Sequence, residues 1–361
     1  MKTAMIFPSA ASDPAIAGYS ITLCESIEKT GLKVDQIEYK AKSFRSFSKI
    51  LPKLKKYDTV HLQHEYNLLG GMGAPFFPAL VLLRLFTRGK LILTMHTVLS
   101  KKENYLSKNF LLNWARRNLF YPLKNRLINM VSDKIVVHAH FFKDILVKEY
   151  GFNKEKVEVI PQGILENIPL IEKSKAKKEL GLSGPVYLVI GSFVPAHGAD
   201  IIIKQAKKIG KTILVVINPK KAKPEYMNEM MDYAKNNSLS EVRFELKDIK
   251  SDMSKDWWIY FSASDLVLLP YRGGIGSGIL AHAIAAGRPM VASNIQYFTE
   301  IGKKFKGIAI ARTDNDFPNV IKRVMKKSSL KKMENACQRY KNEFSLTSIG
   351  KKYNRIYNSL A

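Results

Sequence analysis

The chain has 361 residues, 46% of them hydrophobic; this supplies ordinary globular cores, excludes general disorder and suggests two domains. Lys and Arg total 58 against 31 Asp and Glu, a formal charge of +27 that suits nucleic acid, an anionic membrane surface, a polyanionic substrate or simply lysine-rich solvated faces. Only Cys24 and Cys337 are present, which excludes a disulfide scaffold and a cysteine-based zinc site and suits a reducing cytoplasm.

The opening MKTAMIFPSAASDPA carries an apolar run that stops at Pro8. That is shorter than the roughly 7–15 residues of a secretory h-region, so 3–7 reads as a first buried strand. Apolar spacing at Ile21, Leu23, Cys24 and Ile27 predicts a helix over 21–30, closed by Gly31. Strands are predicted at 33–39, 59–63, 90–95, 134–138 and 157–160, separated by helical patterns. Such alternation gives a parallel, doubly wound sheet. The pattern restarts with strands at 186–190, 212–217, 242–245, 266–269 and 290–292, and a further run at 307–311. Pro169, a Lys-rich helix, Gly181, Gly184 and Pro185 mark the joint. The expectation is two α/β domains facing across a cleft, at 1–168 and 169–344. The amphipathic stretch 345–360 sets Ile349, Tyr353, Ile356 and Tyr357 on one helical face.

In open α/β sheets the ligand site lies beyond the carboxyl ends of the strands. Five of the seven histidines, His61, His64, His96, His138 and His140, fall at such ends in the first domain. They sit in HLQHEY (61–66), TMHTV (94–98) and HAH (138–140), with LLGG at 68–71. One such histidine is ordinarily a hydrogen-bonded structural residue, whereas several on one edge point to a site. No HExxH-type spacing supports a metal. In the second domain PYRGGIGSG (270–278) links an apolar strand to a helix ending at Gly287. A strand, Gly-rich loop and helix in this order present backbone N–H groups to a phosphate. No Gly-Lys-Ser/Thr follows, so it is not a Walker loop. GSFVPAHG (191–198) is a second such turn, where His197 either touches a phosphate or caps the next helix.

These segments together resemble a GT-B glycosyltransferase of the GT4 (group 1) superfamily over nearly the whole chain. The likeness is carried by SDKIVVHAHFFKDILVKEYGFNKEKVEVIPQGI (132–164) and ASDLVLLPYRGGIGSGILAHAIAAGRPMVASNIQYFTEI (263–301). HLQHEY, LLGG and TMHTVL (94–99) resemble a branch with QHEY-like and HTVL-like motifs. The resemblance implies two Rossmann-like domains and a nucleotide-sugar donor on the second. It implies an acceptor on the first, transfer with retention, no cofactor and no metal held by the protein. By the same resemblance His96 approaches the donor sugar, with His64 and Glu65 beside it as catalytic candidates. The donor falls to Gly191, Ser192, His197, Tyr271, Arg272, Gly274, Ser277, Gly278, Ile279, His282 and Glu300. The acceptor falls to Gly18, Tyr66, Thr97 and His138, and the helix 345–361 crosses back to the first domain. Members usually carry an Arg/Lys diphosphate clamp, here Ser192/Phe193 and His197, and a Glu-x7-Glu pair, here Gly274 and His282. Two readings follow: a transferase moving a hexosyl group to a lipid-linked or glycan acceptor, or a non-catalytic or partner-dependent subunit of the same fold.

The charge has a partial address. Residues 101–130 hold seven Lys/Arg and one acid, Glu103, among Phe110, Leu111, Leu112, Trp114, Leu119, Phe120 and Tyr121. Basic residues mixed with large apolar ones suit an anionic membrane surface, on the inner, cytoplasmic face; packing on the sheet is the equal alternative. Residues 75–88 are apolar but shorter than the roughly 20 needed to span a bilayer, so a buried helix comes first and a membrane face second. No nucleic-acid-binding motif is present, so nucleic acid is not an expected partner.

Overall fold

The computed structural model describes every residue but 67, 71–73, 102–109, 250–253, 274–275 and 361. The chain divides into two compact units: Met1–Gly163 with Leu346–Ala361, and Ile164–Ser345. The joint was expected after 168. Ile164 already bridges to Ser345 and its N–H bonds Phe344 O, which ties it to the second unit.

The first unit carries β1 (Thr3–Pro8), β2 (Val34–Tyr39), β3 (Thr59–His64), β4 (Lys90–Met95), β5 (Lys134–Val137) and β6 (Val157–Val159). All pair in parallel in the order β2-β1-β3-β4-β5-β6. Its helices are α1 (Pro14–Glu28), α2 (Phe44–Ile50), α3 (Phe76–Phe86), α4 (Phe110–Ala115), α5 (Tyr121–Val131) and α6 (His140–Tyr150). A π turn, Arg116–Phe120, joins α4 to α5. Burial on both sheet faces explains the continuous apolar runs: β1 is buried throughout, and β4 in all but Lys90. Helix α1 starts seven residues before its predicted start, because Asp13 accepts from Ile16 N as N-cap and Pro14 takes the first turn.

The second unit carries β7 (Val186–Phe193), β8 (Thr212–Ala222), β9 (Val242–Leu246), β10 (Leu266–Leu269), β11 (Met290–Ser293) and β12 (Ile308–Ala311). They form a second parallel sheet, β12-β11-β10-β7-β8-β9. Its helices are α7 (Lys173–Glu179), α8 (Ala199–Ile203), α9 (Ala206–Ile209), α10 (Pro224–Asn236), α11 (Lys255–Ala263), α12 (Gly278–Ala285), α13 (Gln296–Lys304), α14 (Phe317–Val324) and α15 (Lys327–Glu343). Strand β7 continues through a bulge at Gly191–Phe193, residues expected to be loop. Each unit is thus a Rossmann-like sheet with its own core.

The last helix, α16 (Leu346–Leu360), belongs to the first unit and packs on α1. Its inward face is the predicted one: Ile349, Tyr353, Ile356 and Tyr357 are buried. Gly350 sits at the crossing, where a Cβ would lie 2.4 Å from Ser26 O. Only glycine lets the two backbones approach this closely. Among the described residues no helix is long and apolar enough to cross a membrane.

Candidate functional site

In the first unit the sequence motifs meet in pairs at the carboxyl ends of β3, β4 and β5. Parallel pairing sets His64 opposite Met95 and Gln63 opposite Thr94. His96, one residue beyond β4, donates its Nε2–H to Gln63 Oε1 (2.8 Å), and Gln63 Nε2 donates to Met5 Sδ (3.3 Å). This fixes the tautomer and leaves Nδ1 as the acceptor of the ring. Tyr19 of α1 stands edge-on to His96 and His138, with centroids 5.2 and 5.6 Å away, and the two imidazoles are 5.1 Å apart. His138 donates from Nδ1 to Ile160 O (2.9 Å), while its Nε2 is buried without a hydrogen-bond partner. Burial first, then the neighbouring His138 and His61, holds His96 well below the ordinary histidine range. His138 is lowered by burial too, against the pull of its carbonyl bond. The pair is therefore neutral at pH 7.

Glu65 turns out of β3 and bonds the Thr97 side chain and the Tyr66 N–H (2.9 Å). Burial raises its carboxyl, and these two bonds and Lys124 pull the other way. The LQHEY and MHTV segments are thus tied twice, through Gln63–His96 and Glu65–Thr97. His64 lies elsewhere than expected of a reacting group. It is fully buried, stacked on Phe76 (4.2 Å), and neither ring nitrogen has a hydrogen-bond partner. Strand alternation turns it to the opposite face from Gln63. Gly18, on α1, has open space where a Cβ would stand.

The charged residue that sequence reasoning missed is Lys124. It reads as one more surface cation of 101–130, yet it is 3% exposed. Its Nζ donates to Tyr66 O (2.8 Å) and sits 4.2 Å from the Phe76 ring centre. Burial drives its ammonium down to about 7, against the pull of Glu65. Next to it, Asn125 Oδ1 accepts from the Tyr66 hydroxyl (3.0 Å). The available signal was helical spacing, since Lys124 and Asn125 fall on the turn that leads to buried Ile128. His61 is also not at the site: it bonds Tyr357 OH (2.6 Å) and Thr94 Oγ1 (2.8 Å), and Thr94 bonds Tyr353 OH (3.2 Å). It anchors α16 under the sheet.

The second unit builds its loop differently. His197 bonds Ser192 O through Nδ1 (2.7 Å) and stacks on Tyr271 (4.5 Å, 7° between planes). Burial lowers its imidazole, although the carbonyl bond opposes this. Tyr271 OH meets Ser277 Oγ (3.2 Å), and Ser277 caps α12 by accepting from Leu280 N (3.1 Å). Capping by Ser277 leaves the first two N–H groups of α12, on Gly278 and Ile279, without an intrahelical acceptor. Ile279 also packs over Gly191: a Cβ there would lie 3.2 Å from its Cγ1.

Arg272, expected to face a donor, is engaged inside the unit. It makes a bidentate bond to Asp200 (2.6 and 2.6 Å) and bonds Pro195 O (3.0 Å), and Tyr226 OH also donates to Asp200 (2.6 Å). Burial would raise the Asp200 carboxyl, but the Arg272 and Tyr226 bonds outweigh it and hold it low. The staple pins the two turns together. His282 lies one helical turn into α12 among Trp257, Trp258 and Phe261, and accepts at Nδ1 from the Trp257 indole (3.3 Å). Glu300 is half-buried on α13, near Tyr297, whose hydroxyl meets the Ser277 backbone. Gly274 lies outside the described residues. Among the described residues no group of three or more His, Cys, Asp and Glu is placed to hold a metal.

Residues 17–165 match the sequence model of Glycosyltransferase Family 4, and residues 171–344 that of Glycosyl transferases group 1. The chain belongs to this glycosyltransferase superfamily. Solved structures of the GT-B fold agree. Anabaena HepE (Alr3699) in complex with UDP is 16% identical, with a TM-score of 0.74 and 100% of each chain covered. Sucrose-phosphate synthase from Thermosynechococcus elongatus is 17% identical, with a TM-score of 0.74 and 99% of each chain covered. WaaG, a glycosyltransferase involved in lipopolysaccharide biosynthesis, is 16% identical, with a TM-score of 0.68, covering 98% of this chain and 99% of that one. No curated protein matches the chain by sequence. In this glycosyltransferase the first model spans the paired QHEY and HTVL segments, and the second spans the stapled turns and the α12 N-terminus.

Proposed function

We propose that the protein transfers a hexosyl group from a nucleotide sugar, a UDP-hexose, to a lipid-linked or glycan acceptor, with retention and without a cofactor or protein-held metal. The observation that carries this reading is the Gln63–His96 bond, which presets one histidine tautomer at a strand end among neutral, buried partners. His96 is the group that meets the reacting sugar, with Glu65 and Thr97 fixing its flank. Tyr66, Gly18 and His138 serve the acceptor. Gly191, Ser192, His197, Tyr271, Ser277, Gly278, Ile279, His282 and Glu300 serve the donor, and the α12 N–H groups receive the diphosphate. In the transfer the anomeric C–O bond breaks and UDP leaves with the electron pair, while the acceptor hydroxyl oxygen bonds the anomeric carbon on the same face and its proton passes to the departing phosphate oxygen. Fixed N–H donors aimed at the departing charge lower that barrier. HepE in its UDP complex supports UDP as the nucleotide. The protein works in the cytoplasm.

A second reading, a subunit that binds without transfer, is favoured by one observation: Arg272 is held by Asp200 rather than standing open beside the loop. The test is incubation with radiolabelled UDP- and GDP-hexoses, membrane lipid extract and glycan acceptors, alongside UDP calorimetry. Transfer that falls at least 100-fold in His96→Ala establishes the first reading. No transfer across the panel by a folded chain overturns the first reading and favours the second, a subunit that binds a nucleotide sugar, a glycan or a protein partner, most clearly when calorimetry is silent too.

A further inference from the structure

Seven of the eleven large apolar side chains exposed among the described residues lie on α3 and on 111–130. The most open are Leu85 (71%), Leu111 (74%) and Met130 (69%), with Trp114 at 56%. Single exposed leucines need no explanation, but a cluster does. The cluster has helical order. Leu119, Leu123, Arg126 and Met130 follow at steps of four, three and four, one stripe along the π turn and α5. Val81 and Leu85 make the matching pair on α3, and α3 packs against α5. The surrounding charge is one-sided. From residue 76 to 131 the sequence has ten Lys/Arg and one acid, Glu103, which lies outside the described residues; of the described cations Lys124 is buried and Arg84 is paired with Asp133, while Arg88, Lys90, Lys101 and Arg126 are exposed. Arg88 and Arg126 are exposed beside the apolar stripes.

We propose that α3 and the α4–α5 segment form a docking surface for an anionic lipid leaflet, lying in the plane of the interface. Apolar side chains enter the acyl boundary, while the arginines between them meet the headgroups. Charge complementarity selects this occupant: an apolar protein partner has no use for a face so short of acids. The inward side of the same helix holds Tyr66 through Lys124 and Asn125, so the lipid-facing element is also the one that braces the strand end next to Glu65. This deepens the lipid-linked acceptor of the proposed function, and its test needs no transfer.

The test is flotation of the full chain with vesicles of phosphatidylcholine alone or with 30% phosphatidylglycerol, at low salt and in 0.5 M salt. Recovery at least tenfold higher on the anionic vesicles and reduced by salt is expected. Trp114→Ser and Arg126→Glu should each cut it at least fivefold with unchanged thermal melts. Lys235→Glu, an equal charge change on α10 of the other unit, should leave it intact. Equal recovery on both vesicle types, or none on either, overturns the proposal. So does an equal loss in Lys235→Glu, which would mean that net charge alone attracts the protein. A concentration-dependent dimer abolished by Trp114→Ser, without flotation, assigns the face to a second copy and overturns it too. The donor panel stands whatever this outcome.

Discussion

The two units share a sheet topology but stabilise their strand ends by opposite chemistry. In the first, titratable side chains are buried and neutral: His61, His64, His96 and His138 are all pushed down by burial. In the second, charge is kept and neutralised beside the loop, Asp200 with Arg272; the ion pairs of Asp265, which precedes β10, have a first-unit counterpart in Asp133, which precedes β5 and pairs with Arg84. The first arrangement yields uncharged hydrogen-bonding groups of fixed tautomer, suited to hydroxyls. The second leaves side chains satisfied among themselves and offers backbone N–H groups, suited to an anion. Perturbing each unit separately sharpens this contrast.

The largest effect is expected from Gly198→Ala. Gly198 has φ 65°, and a Cβ would lie 1.9 Å from Pro270 O, so backbone strain and a carbonyl clash coincide. The two together cost roughly 3–5 kcal/mol. Hydrogen exchange should quicken throughout the second unit and leave β3 and β4 protected. Loss of protection in both units would show that the stapled turns are not a local device.

Acid should divide the units in the other direction. His61 is pushed down to about 3 from an ordinary 6.5, so the fold favours its neutral form. Its contribution is complete above about pH 6.5 and shrinks as pH falls toward 3, by roughly 2 kcal/mol at pH 5. Asp200 and Asp265 are held below the usual carboxylate range, so their contributions persist until pH falls below about 4. Hydrogen exchange at pH 7 and pH 5 should therefore show the first unit loosening more than the second, where burial lowers His197 against the pull of its carbonyl bond. Equal loosening would erase the contrast.

A third effect concerns α16. Tyr357→Phe removes the 2.6 Å bond to His61 Nδ1 and leaves a buried polar atom unsatisfied. The cost is about 1–3 kcal/mol, measured by thermal melting, and should fall on the first unit alone. Tyr353→Phe, whose 3.2 Å bond is to Thr94, should cost less.

How much of this was legible in the sequence follows from the physics of each element. Strand β4 could be read to the residue, because a strand buried on both faces is a continuous apolar run. Strand β7 was cut short, because Gly191 and Ser192 look like turn residues and a bulge carries the ladder past them. Helix α1 began earlier than its apolar spacing, on an Asp-Pro start that polar neighbours disguised. Charge was the least legible property. Lys124 and Arg272 are cations in any count, yet one is buried on a carbonyl and the other bound by an aspartate. Periodicity places a residue on a face; whether its partner waits there depends on distant segments such as 200 and 66.

The smallest effect tests the joint between the stacked pair and the helix. Ser277 is 4% exposed; its hydroxyl caps α12 through Leu280 N and meets Tyr271 OH, which in turn lies on His197. Ser277→Ala removes the cap at a cost of about 1 kcal/mol. Ser277→Asp keeps a capping acceptor but sets a carboxylate where the proposed diphosphate binds. Thermal melting should therefore rank Ala below Asp, while UDP calorimetry should rank Asp below Ala. A single common ranking would mean that Ser277 supports the helix and nothing bound at its N-terminus.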